Sequence, residues 1–484
     1  MEWRAELSSA AESPRRFFRG WSDFADRTAI VDASGLTLSY RELGEWTEAL
    51  TPPVAPDGRR SLGFLFCESA VEHLAVYLAA LRQGQAITIL NDHLSSDRAE
   101  ALVRAYRPDW IVASAEQQAA WESLGYTARP AAHDVVFLVA TDPPDRPEPH
   151  PDLRLMVSTS GSTGGGKMVR LSERNLVSNA ESIAAYMELD PDHRALVTLP
   201  LHYCFGLSVV HSHLAVGGTL LLNRASFIQP DFWRFAAEER GNFLAGVPFH
   251  FETWQRLGLP KLAAIPLRIL AQAGGPLDPK RQEVYRQFAE ERGAKFLVMY
   301  GQSEATARIS YVPSDQLADN LGSIGIAIPR GELRLDPETG EIIYEGPNVM
   351  MGYATGGSDI SRGDDLGGVL HTGDVGAVNG NGLFRIVGRL KRFVKMFGER
   401  VSLDELERDL RDRLHVGIAC TGSDNKLLVA VDSEEVIETV KEHLRDTYRL
   451  RAAGLTVRHV PELPRLPTGK LDYTRLQEAV TADA

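Results

Sequence analysis

Short apolar segments alternate with helical segments along much of this 484-residue chain, and this alternation restricts the fold more than any other feature. Residues 62–66 are apolar, residues 70–82 carry apolar side chains at helical spacing, and residues 86–90 are apolar again. The same order of patterns returns between residues 267 and 299. Buried strands that alternate with helices are typical of an α/β fold with a mainly parallel sheet.

The pattern changes after about residue 320. Residues 324–392 are rich in glycine and in short β-like segments, and the stretch beyond residue 395 reads as a compact unit of helices and strands. We therefore predict an α/β fold whose large N-terminal domain has mainly parallel α/β sheets plus a β-rich subdomain, followed by a small, mobile α+β C-terminal lid domain. The predicted boundaries are 1–388 for the large domain, 389–392 for a hinge and 393–484 for the small domain.

A net charge of −13 disfavours binding to nucleic acids or anionic membranes, which both favour a basic face. The three cysteines lie far apart and lack metal-ligand spacing, as is usual in a reducing compartment. The first residues lack the apolar core of a signal peptide, and no apolar run approaches membrane-spanning length. These observations predict a soluble, cytoplasmic protein with no nucleic-acid partner and no membrane span.

The run 159–167 is the strongest chemical signal in the chain. It contains four glycines, four hydroxyl side chains and one lysine, directly after the apolar segment 153–157. Glycines leave backbone N–H groups open to a ligand, while hydroxyls and a lysine add further donors, so the run is suited to a polyphosphate. The predicted phosphate-binding residues are Thr159, Ser160, Gly161, Ser162, Thr163, Gly164 and Lys167.

The spacing from Gly161 to Lys167 matches a P-loop, which is one alternative. A P-loop needs Ser or Thr after the lysine to ligate magnesium, and it continues into a helix. Here Met168 follows, and residues 168–171 read as a strand. A flexible Gly/Ser linker is a second alternative, and the apolar segments on both sides disfavour it. Both alternatives stay open at this point.

Three further clusters carry polar groups suited to a nucleotide. Residues 300–306 follow a predicted strand, at the edge where α/β sheets bind ligands, and Glu304 there is suited to hold Mg²⁺ on phosphate oxygens. Asp374 ends a Thr-Gly-Asp turn and can accept hydrogen bonds from a ribose diol. Lys470 lies on a Pro-Thr-Gly-Lys turn and, taken alone, reads as a surface lysine.

Five segments of the chain resemble the motifs of the adenylate-forming superfamily and follow one another in the same order. They are the run 159–167, residues 300–306, the turn 372–374, Gly388-Arg389 and the turn 467–470. That superfamily contains acyl-CoA synthetases, luciferases and the adenylation domains of peptide synthetases. The resemblance spans nearly the whole chain and is closest to a stand-alone acyl- or aryl-acid ligase. It implies ATP-dependent activation of a carboxylic acid to an acyl-adenylate with release of pyrophosphate, and then transfer to a thiol.

The resemblance also implies roles for individual residues. Tyr300 would stack on adenine and Glu304 would ligate Mg²⁺. Lys470 would bridge the substrate carboxylate and the α-phosphate, until rotation about the hinge residue Lys391 replaces it by a face with Lys395 for thioester formation. The implied catalytic residues are thus Lys470, Lys395 and Glu304. The remaining implied nucleotide-binding residues are Gly274, Gly275, Pro276, Tyr300, Gly301, Ser303, Asp374 and Arg389.

The position of Tyr203 bears on the choice of acid. The resemblance places it where peptide-synthetase adenylation domains carry the Asp that pairs with an α-amino group. A buried ammonium without a carboxylate is costly, so an α-amino acid is disfavoured and a neutral aromatic or aliphatic acid is expected. The predicted pocket residues are Tyr203, Phe205, Phe249, Gly275 and Gly301.

The expected cofactors are ATP and Mg²⁺, and the expected thiol is CoA. A carrier protein's phosphopantetheine is the alternative acceptor, and the sequence does not decide between the two. The alternative from a different class is a P-loop or nucleotide-binding regulatory protein without adenylating activity.

Overall fold

A computed structural model describes residues 17–477 apart from 56, 69, 159–166, 391, 397–398, 424, 449, 451–453, 466–470 and 474, and apart from the side chains of 260, 263, 393, 395, 399, 400 and 402. The chain divides into two compact units. The first consists of residues 1–332 and 345–370, and the second consists of residues 333–344 and 371–484. The predicted domain boundary at 388–392 falls inside the second unit and stays a prediction.

The strands, in chain order, are β1 (Thr28–Asp32), β2 (Thr37–Ser39), β3 (Leu62–Cys67), β4 (Ala86–Asn91), β5 (Trp110–Val112), β6 (Tyr126–Pro130), β7 (Val136–Ala140), β8 (Leu153–Ser158), β9 (Met168–Ser172), β10 (Arg194–Leu196), β11 (Thr219–Leu222), β12 (Phe243–Gly246), β13 (Ile269–Gln272), β14 (Lys295–Tyr300), β15 (Ser310–Tyr311), β16 (Ile326–Ala327), β17 (Glu332–Leu335), β18 (Glu341–Glu345), β19 (Gly352–Ala354), β20 (Val369–Val378), β21 (Phe384–Arg389), β22 (Phe393–Met396), β23 (Glu399–Ser402), β24 (Ile418–Ser423), β25 (Lys426–Val431) and β26 (Leu455–His459). The α-helices are α1 (Tyr40–Ala49), α2 (Val71–Arg82), α3 (Ser96–Tyr106), α4 (Ala115–Ser123), α5 (Glu173–Met187), α6 (Cys204–Val216), α7 (Pro230–Glu238), α8 (Pro248–Leu257), α9 (Pro260–Ala263), α10 (Pro279–Glu290), α11 (Leu403–Leu414) and α12 (Ile437–Asp446).

Two large sheets form the described part of the first unit. One has the strand order β16-β15-β14-β13-β12-β10-β11-β1-β2, and the other has the order β19-β9-β8-β4-β3-β5-β7-β6. The central pairs are parallel in both sheets, whereas strands at the ends pair antiparallel. The segments predicted as strands and helices between residues 62 and 299 correspond to elements of these sheets and their connecting helices.

The main core of the first unit joins both sheets through buried helices. Leu74 on α2, Ile183 on α5 and Val210 on α6 are buried in the same cluster as Ile30 of β1 and Leu65 of β3. Apolar side chains buried from both sheets and from the helices explain why the strands read as continuous apolar runs rather than as alternating ones.

Two side chains cap the start of α5. Ser172 is the N-cap, as its residue type predicts, and its Oγ accepts a hydrogen bond of 3.1 Å from the Asn175 N–H. The Asn175 side-chain oxygen returns a bond of 2.8 Å to the Ser172 N–H. An asparagine thus completes the capping box in place of the usual Glu or Gln.

The second unit has its own sheets and core. Strands β17, β18, β20 and β21 form one sheet, β22 and β23 form a hairpin, and β24, β25 and β26 form a third sheet. Leu406 and Leu410 of α11 pack with Val429 of β25 and Val440 of α12. A short 3₁₀ turn, Glu434–Val436, leads directly into α12.

Among the described residues, no helix is both long enough and apolar enough to cross a membrane. The cytoplasmic location stays a prediction.

Candidate active site

The carboxyl ends of four neighbouring strands meet at one edge of the nine-stranded sheet. Strands β10, β12, β13 and β14 are parallel, so the segments that follow them emerge on the same side. Ligands in α/β proteins bind outside such an edge. The predicted site residues Tyr203, Gly274 and Tyr300 follow or end three of these strands.

The turn after β13 requires a glycine at position 274. Its φ angle is +84°, and a Cβ atom there would lie 2.7 Å from the Tyr203 hydroxyl and 2.9 Å from the Val247 Cγ1 atom. The buried Gln272 side chain donates a 2.8 Å hydrogen bond to the Gly275 carbonyl and holds the turn. The predicted adenine-binding turn and the predicted pocket residue Tyr203 are therefore neighbours.

A tight loop after β14 requires the second glycine of this edge. A Cβ atom at Gly301 would lie 1.8 Å from the Ala307 carbonyl oxygen, so the backbone leaves no room for a side chain. The Gln302 side chain donates to the Tyr300 hydroxyl over 2.9 Å. The loop folds back so that the Ile309 N–H bonds to the Tyr300 carbonyl.

Tyr353 connects the predicted metal ligand to the predicted phosphate-binding lysine. Its hydroxyl donates a 2.8 Å hydrogen bond to Glu304 Oε1, while the Lys167 Nζ atom lies 3.4 Å from the centroid of its ring. Burial raises the pKa of the Tyr353 phenol, and the Glu304 carboxylate raises it further, so the hydroxyl stays a donor. Glu304 forms no ion pair within the described part of the chain.

Sequence reasoning missed Tyr353, because its neighbours contain no motif that points to phosphate. Its place follows from pairing, since β19 lies antiparallel to β9 and Tyr353 is opposite Val169, two residues beyond Lys167. Only the sheet brings together residues separated by almost two hundred positions.

The other predicted residues of the first unit have these surroundings. Ser303 lies beside Cys204, with 3.2 Å between the hydroxyl oxygen and the sulfur atom. The rings of Tyr203 and Phe205 have centroids 6.2 Å apart. Phe249 is 37% exposed and packs edge-to-face on Phe227, and no described contact joins it to Tyr203 or Phe205.

In the second unit, Asp374 and Arg389 face each other across the β20–β21 ladder. The Arg389 Nε atom donates a 2.9 Å hydrogen bond to Asp374, whose carboxylate is almost completely buried. Gly373 before it has a φ angle of +73°, and its N–H bonds to Glu341. The predicted ribose-binding pair is thus in contact.

Several predicted residues lie outside the described part of the chain. They are the run 159–164, Lys391 and Lys470. The backbone of Lys395 pairs with Arg400 in the β22–β23 hairpin. Their roles stay predictions.

The described residues of the first unit fit a metal–nucleotide complex. Mg²⁺ in nucleotide sites takes one or two carboxylates and fills its other positions with phosphate oxygens and water. Glu304 offers one such carboxylate, and Lys167 brings a positive charge to their shared neighbour Tyr353. Within the described residues, no group of three or more His, Cys, Asp or Glu side chains could form a metal cage.

Residues 17–354 match the family model described as AMP-binding enzyme. The chain belongs to the AMP-binding enzyme family. The feruloyl-CoA synthase of an Amycolatopsis species is 33% identical over 286 residues, which is 56% of this chain and 56% of that protein. The sulfoacetate–CoA ligase of Cupriavidus necator is 29% identical over 369 residues, 72% of this chain and 70% of that protein.

The fold has close counterparts among solved structures. ATP-bound MatB from Rhodopseudomonas palustris superposes with a TM-score of 0.76 at 23% identity, over 96% of this chain and 98% of that chain. The predicted superfamily and the predicted α/β fold class are therefore confirmed. The match to the feruloyl-CoA synthase covers only about half of that protein.

Proposed function

We propose that this protein uses ATP to convert a carboxylic acid without an α-amino group to an acyl-adenylate, and then transfers the acyl group to the thiol of CoA. The observation that carries the proposal is the contact set of Lys167, Tyr353 and Glu304. It joins β19 and β9 of the eight-stranded sheet to the loop that follows β14 of the nine-stranded sheet. Membership of the AMP-binding enzyme family and relatives named as CoA synthase or ligase support it. The strand β9 after Lys167, where a P-loop would have a helix, disfavours the P-loop alternative.

In the first half-reaction, a carboxylate oxygen attacks the α-phosphorus and the bond to the bridging oxygen breaks, releasing pyrophosphate. The acid is already ionised near neutral pH, because carboxyl groups have pKa values of about 4. The reaction therefore needs no general base. Its difficulty is the repulsion between the carboxylate and the triphosphate, which positive charge must offset.

The first unit's residues supply this charge and its placement. Lys167 would contact the β- and γ-phosphates, and its ammonium lies on the face of the Tyr353 ring, which attracts cations. Mg²⁺ held by Glu304 supplies further charge neutralisation when bound. Tyr353 orients the Glu304 carboxylate through its hydrogen bond.

The second unit would supply the ribose contact and two lysines. Asp374, aligned by Arg389, would accept the ribose hydroxyls. Lys470 would bridge the carboxylate and the α-phosphate, and rotation about Lys391 would bring the Lys395 face to the site. The thiol sulfur then attacks the acyl carbon, the acyl–phosphate bond breaks, AMP leaves and the thiol proton is released.

Acid-dependent exchange of labelled pyrophosphate into ATP tests the first half-reaction. A panel of aryl, short-chain, medium-chain and amino acids should give exchange with at least one acid that lacks an α-amino group. Exchange with no acid would contradict the proposal. Product formation with CoA, set against a phosphopantetheinylated carrier protein, then decides the acceptor.

Two lysine variants test the division of labour between the half-reactions. Lys470→Ala should abolish exchange, while Lys395→Ala should spare exchange and impair thioester formation. Lys441→Ala is the control, because its side chain pairs with exposed Glu438 on the surface of α12. Equal loss of exchange in the Lys470 and Lys395 variants would contradict the two-face assignment.

A further inference from the structure

Arg308 is a buried cation at the same sheet edge, and sequence reasoning did not identify it. Its side chain is 1% exposed, and its Nε atom is buried without a hydrogen-bond partner. No carboxylate within the described residues forms an ion pair with it. A buried charge without a partner is costly, and such groups cluster at sites that bind a counter-charge.

The Arg308 guanidinium points to the predicted acyl pocket. Its Cζ atom lies 4.1 Å from the centroid of the Phe205 ring, and its guanidinium hydrogen-bonds to the Tyr186 phenol. Burial raises the pKa of the Tyr203 phenol, and the Arg308 charge opposes this rise. The described hydrogen bond of its Nη1 atom goes to the neighbouring Ala307 carbonyl over 3.2 Å. Its neighbours are therefore aromatic rings, one neutral phenol hydroxyl and one carbonyl, which only partly compensate a positive charge.

A strained loop holds Arg308 in this position. Thr306 has a φ angle of 54° and Ala307 one of 93°, a left-handed conformation that is unfavourable for residues with a side chain. The Asn348 amide stabilises it by donating to the Ala305 and Arg308 carbonyls, both over 2.7 Å. The Thr306 hydroxyl donates back to the Asn348 carbonyl.

The loop separates two kinds of contact. Glu304 points to Tyr353 of β19, on the phosphate side, whereas Arg308 points to Phe205 near the start of α6. Tyr203, the N-cap of α6, supplies no side-chain cap, and the first turn carries no acidic residue. The positive end of the helix dipole therefore adds to the Arg308 charge on the acyl side.

We infer that Arg308 forms an anion subsite in the acyl pocket, so that the acid activated here carries a second anionic group, a carboxylate or sulfonate, at the end remote from the reacting carboxylate. The inference rests on the proposed function and replaces the neutral acyl chain expected from the sequence. The guanidinium fork would bind the remote group through paired charge-assisted hydrogen bonds. The half-buried Tyr203 side chain lies between Gly274 and Phe205 and lines the route to it.

Matched acid pairs test the subsite. Each dicarboxylate, over a series of chain lengths, is compared with the monoacid in which an isopropyl group replaces the remote carboxylate, for example succinate with 4-methylpentanoate. The wild-type protein should use its best dicarboxylate about 10- to 100-fold better in kcat/KM for pyrophosphate exchange, as expected for charge-assisted hydrogen bonds. Equal use, or preference for the isopropyl acids at every length, would overturn the inference.

Variants assign the preference to Arg308. Arg308→Met keeps the length but removes the charge, and it should abolish the preference for dicarboxylates while retaining exchange with the matched monoacid. Arg308→Lys should keep part of the preference, because it retains the charge without the fork. Arg256→Met, an exposed change on α8, is the control and should behave as the wild type. An unchanged preference in Arg308→Met would also overturn the inference.

Failure of the proposed function is distinguishable from failure of the subsite. If no acid supports exchange, the proposed function fails, and calorimetric titration of the protein with the dicarboxylates, in the presence of a non-hydrolysable ATP analogue, decides the subsite. Binding to the wild type that is lost in Arg308→Met supports the subsite. Equal binding to both proteins, or no binding, refutes it.

Discussion

Two buried arginines of the first unit differ in what surrounds their charge. Arg170 is fully buried, and it donates to Asp365 over 2.6 Å and to the backbone carbonyls of four residues between 351 and 363. Arg308 is equally buried, but its neighbours are an aromatic ring, the neutral Tyr186 phenol and one carbonyl, and no described carboxylate pairs with it. A charge that the protein itself satisfies stabilises the fold, whereas a charge that it leaves unsatisfied is available to a ligand.

Two carboxylates of the first unit also differ in whether a cation pairs with them. Asp190 forms a two-point ion pair with Arg268, with distances of 2.7 and 3.1 Å. Glu304 accepts a hydrogen bond from Tyr353, and no cation pairs with it within the described part of the chain. We expect substitutions of the satisfied groups to change stability and substitutions of the unsatisfied groups to change activity.

The largest difference is expected between Arg170→Met and Arg308→Met in the free energy of unfolding. Losing Arg170 leaves Asp365 and several carbonyls without their donor, and the free energy of unfolding should fall by about 3–5 kcal/mol. The same substitution at Arg308 should change it by less than about 1 kcal/mol, since no ion pair is broken. Urea unfolding of both variants measures the difference, and equal destabilisation would show that Arg308 is also structural.

A smaller effect, on activity alone, is expected at Glu304. Glu304→Gln keeps the shape but loses the charge, and pyrophosphate exchange should fall by about 100- to 1,000-fold, the loss typical of an electrostatic group in a polar transition state. The Mg²⁺ concentration for half-maximal exchange should rise, and the melting temperature should stay within error. A lowered melting temperature with unchanged Mg²⁺ dependence would place Glu304 among the structural carboxylates.

Tyr353→Phe should have a milder effect, because it removes only the hydrogen bond that orients Glu304. Exchange should fall by about tenfold, equivalent to one hydrogen bond. The matched control is Tyr126→Phe, which removes a 2.9 Å hydrogen bond to the Pro108 carbonyl. Tyr126 lies on β6, at the opposite end of the eight-stranded sheet from β19, which carries Tyr353. Equal loss of pyrophosphate exchange in both variants would contradict the role of Tyr353 in orienting Glu304.

The smallest effect is expected from the pH dependence of the Asp190–Arg268 pair. Hydrogen bonding from Arg268 lowers the pKa of Asp190 to about 2. Since the folded pKa lies below the unfolded value of about 3.9, the pair stabilises the fold above about pH 4 and loses this contribution as the pH falls towards about 2. Because the pair is partly exposed, Asp190→Asn should lower stability by less than about 1 kcal/mol near neutral pH. The difference from wild type should shrink in acid, and a constant difference would contradict the assignment.

Much of the fold could be predicted from the sequence because its signals are local. The apolar runs at β3, β4 and β14 and the helical spacing in α2 depend on residues close together in the chain, and the structure has these elements at the predicted positions. The β9 strand after Lys167 was also readable, and it separated the phosphate run from a P-loop. The capping role of Asn175 is harder to predict, because a capping box usually carries Glu or Gln at this position.

The sequence predicted the motifs of the site, but it did not predict which residues contact them. Gly301 and Glu304 follow β14, as their sequence context indicated, and Gly274, which the resemblance implied, follows β13. Tyr353 and Asn348 act through sheet pairing and through hydrogen bonds to a loop about forty to fifty residues earlier in the chain. Phe249, predicted as a pocket wall, has no described contact with the other two aromatic residues of that set, and its role stays a prediction.

The sequence by itself determined the family, the α/β class and the polar groups available for phosphate, because these depend on residue types and on spacing along the chain. Only the tertiary structure decided which charges have partners. Arg170 and Arg308 look alike in the sequence, and each follows or precedes apolar residues. One meets a carboxylate almost two hundred residues away, and the other meets a phenyl ring beside the acyl pocket. Electrostatic interactions depend on distance and burial in space, and neither can be read from neighbours in the chain.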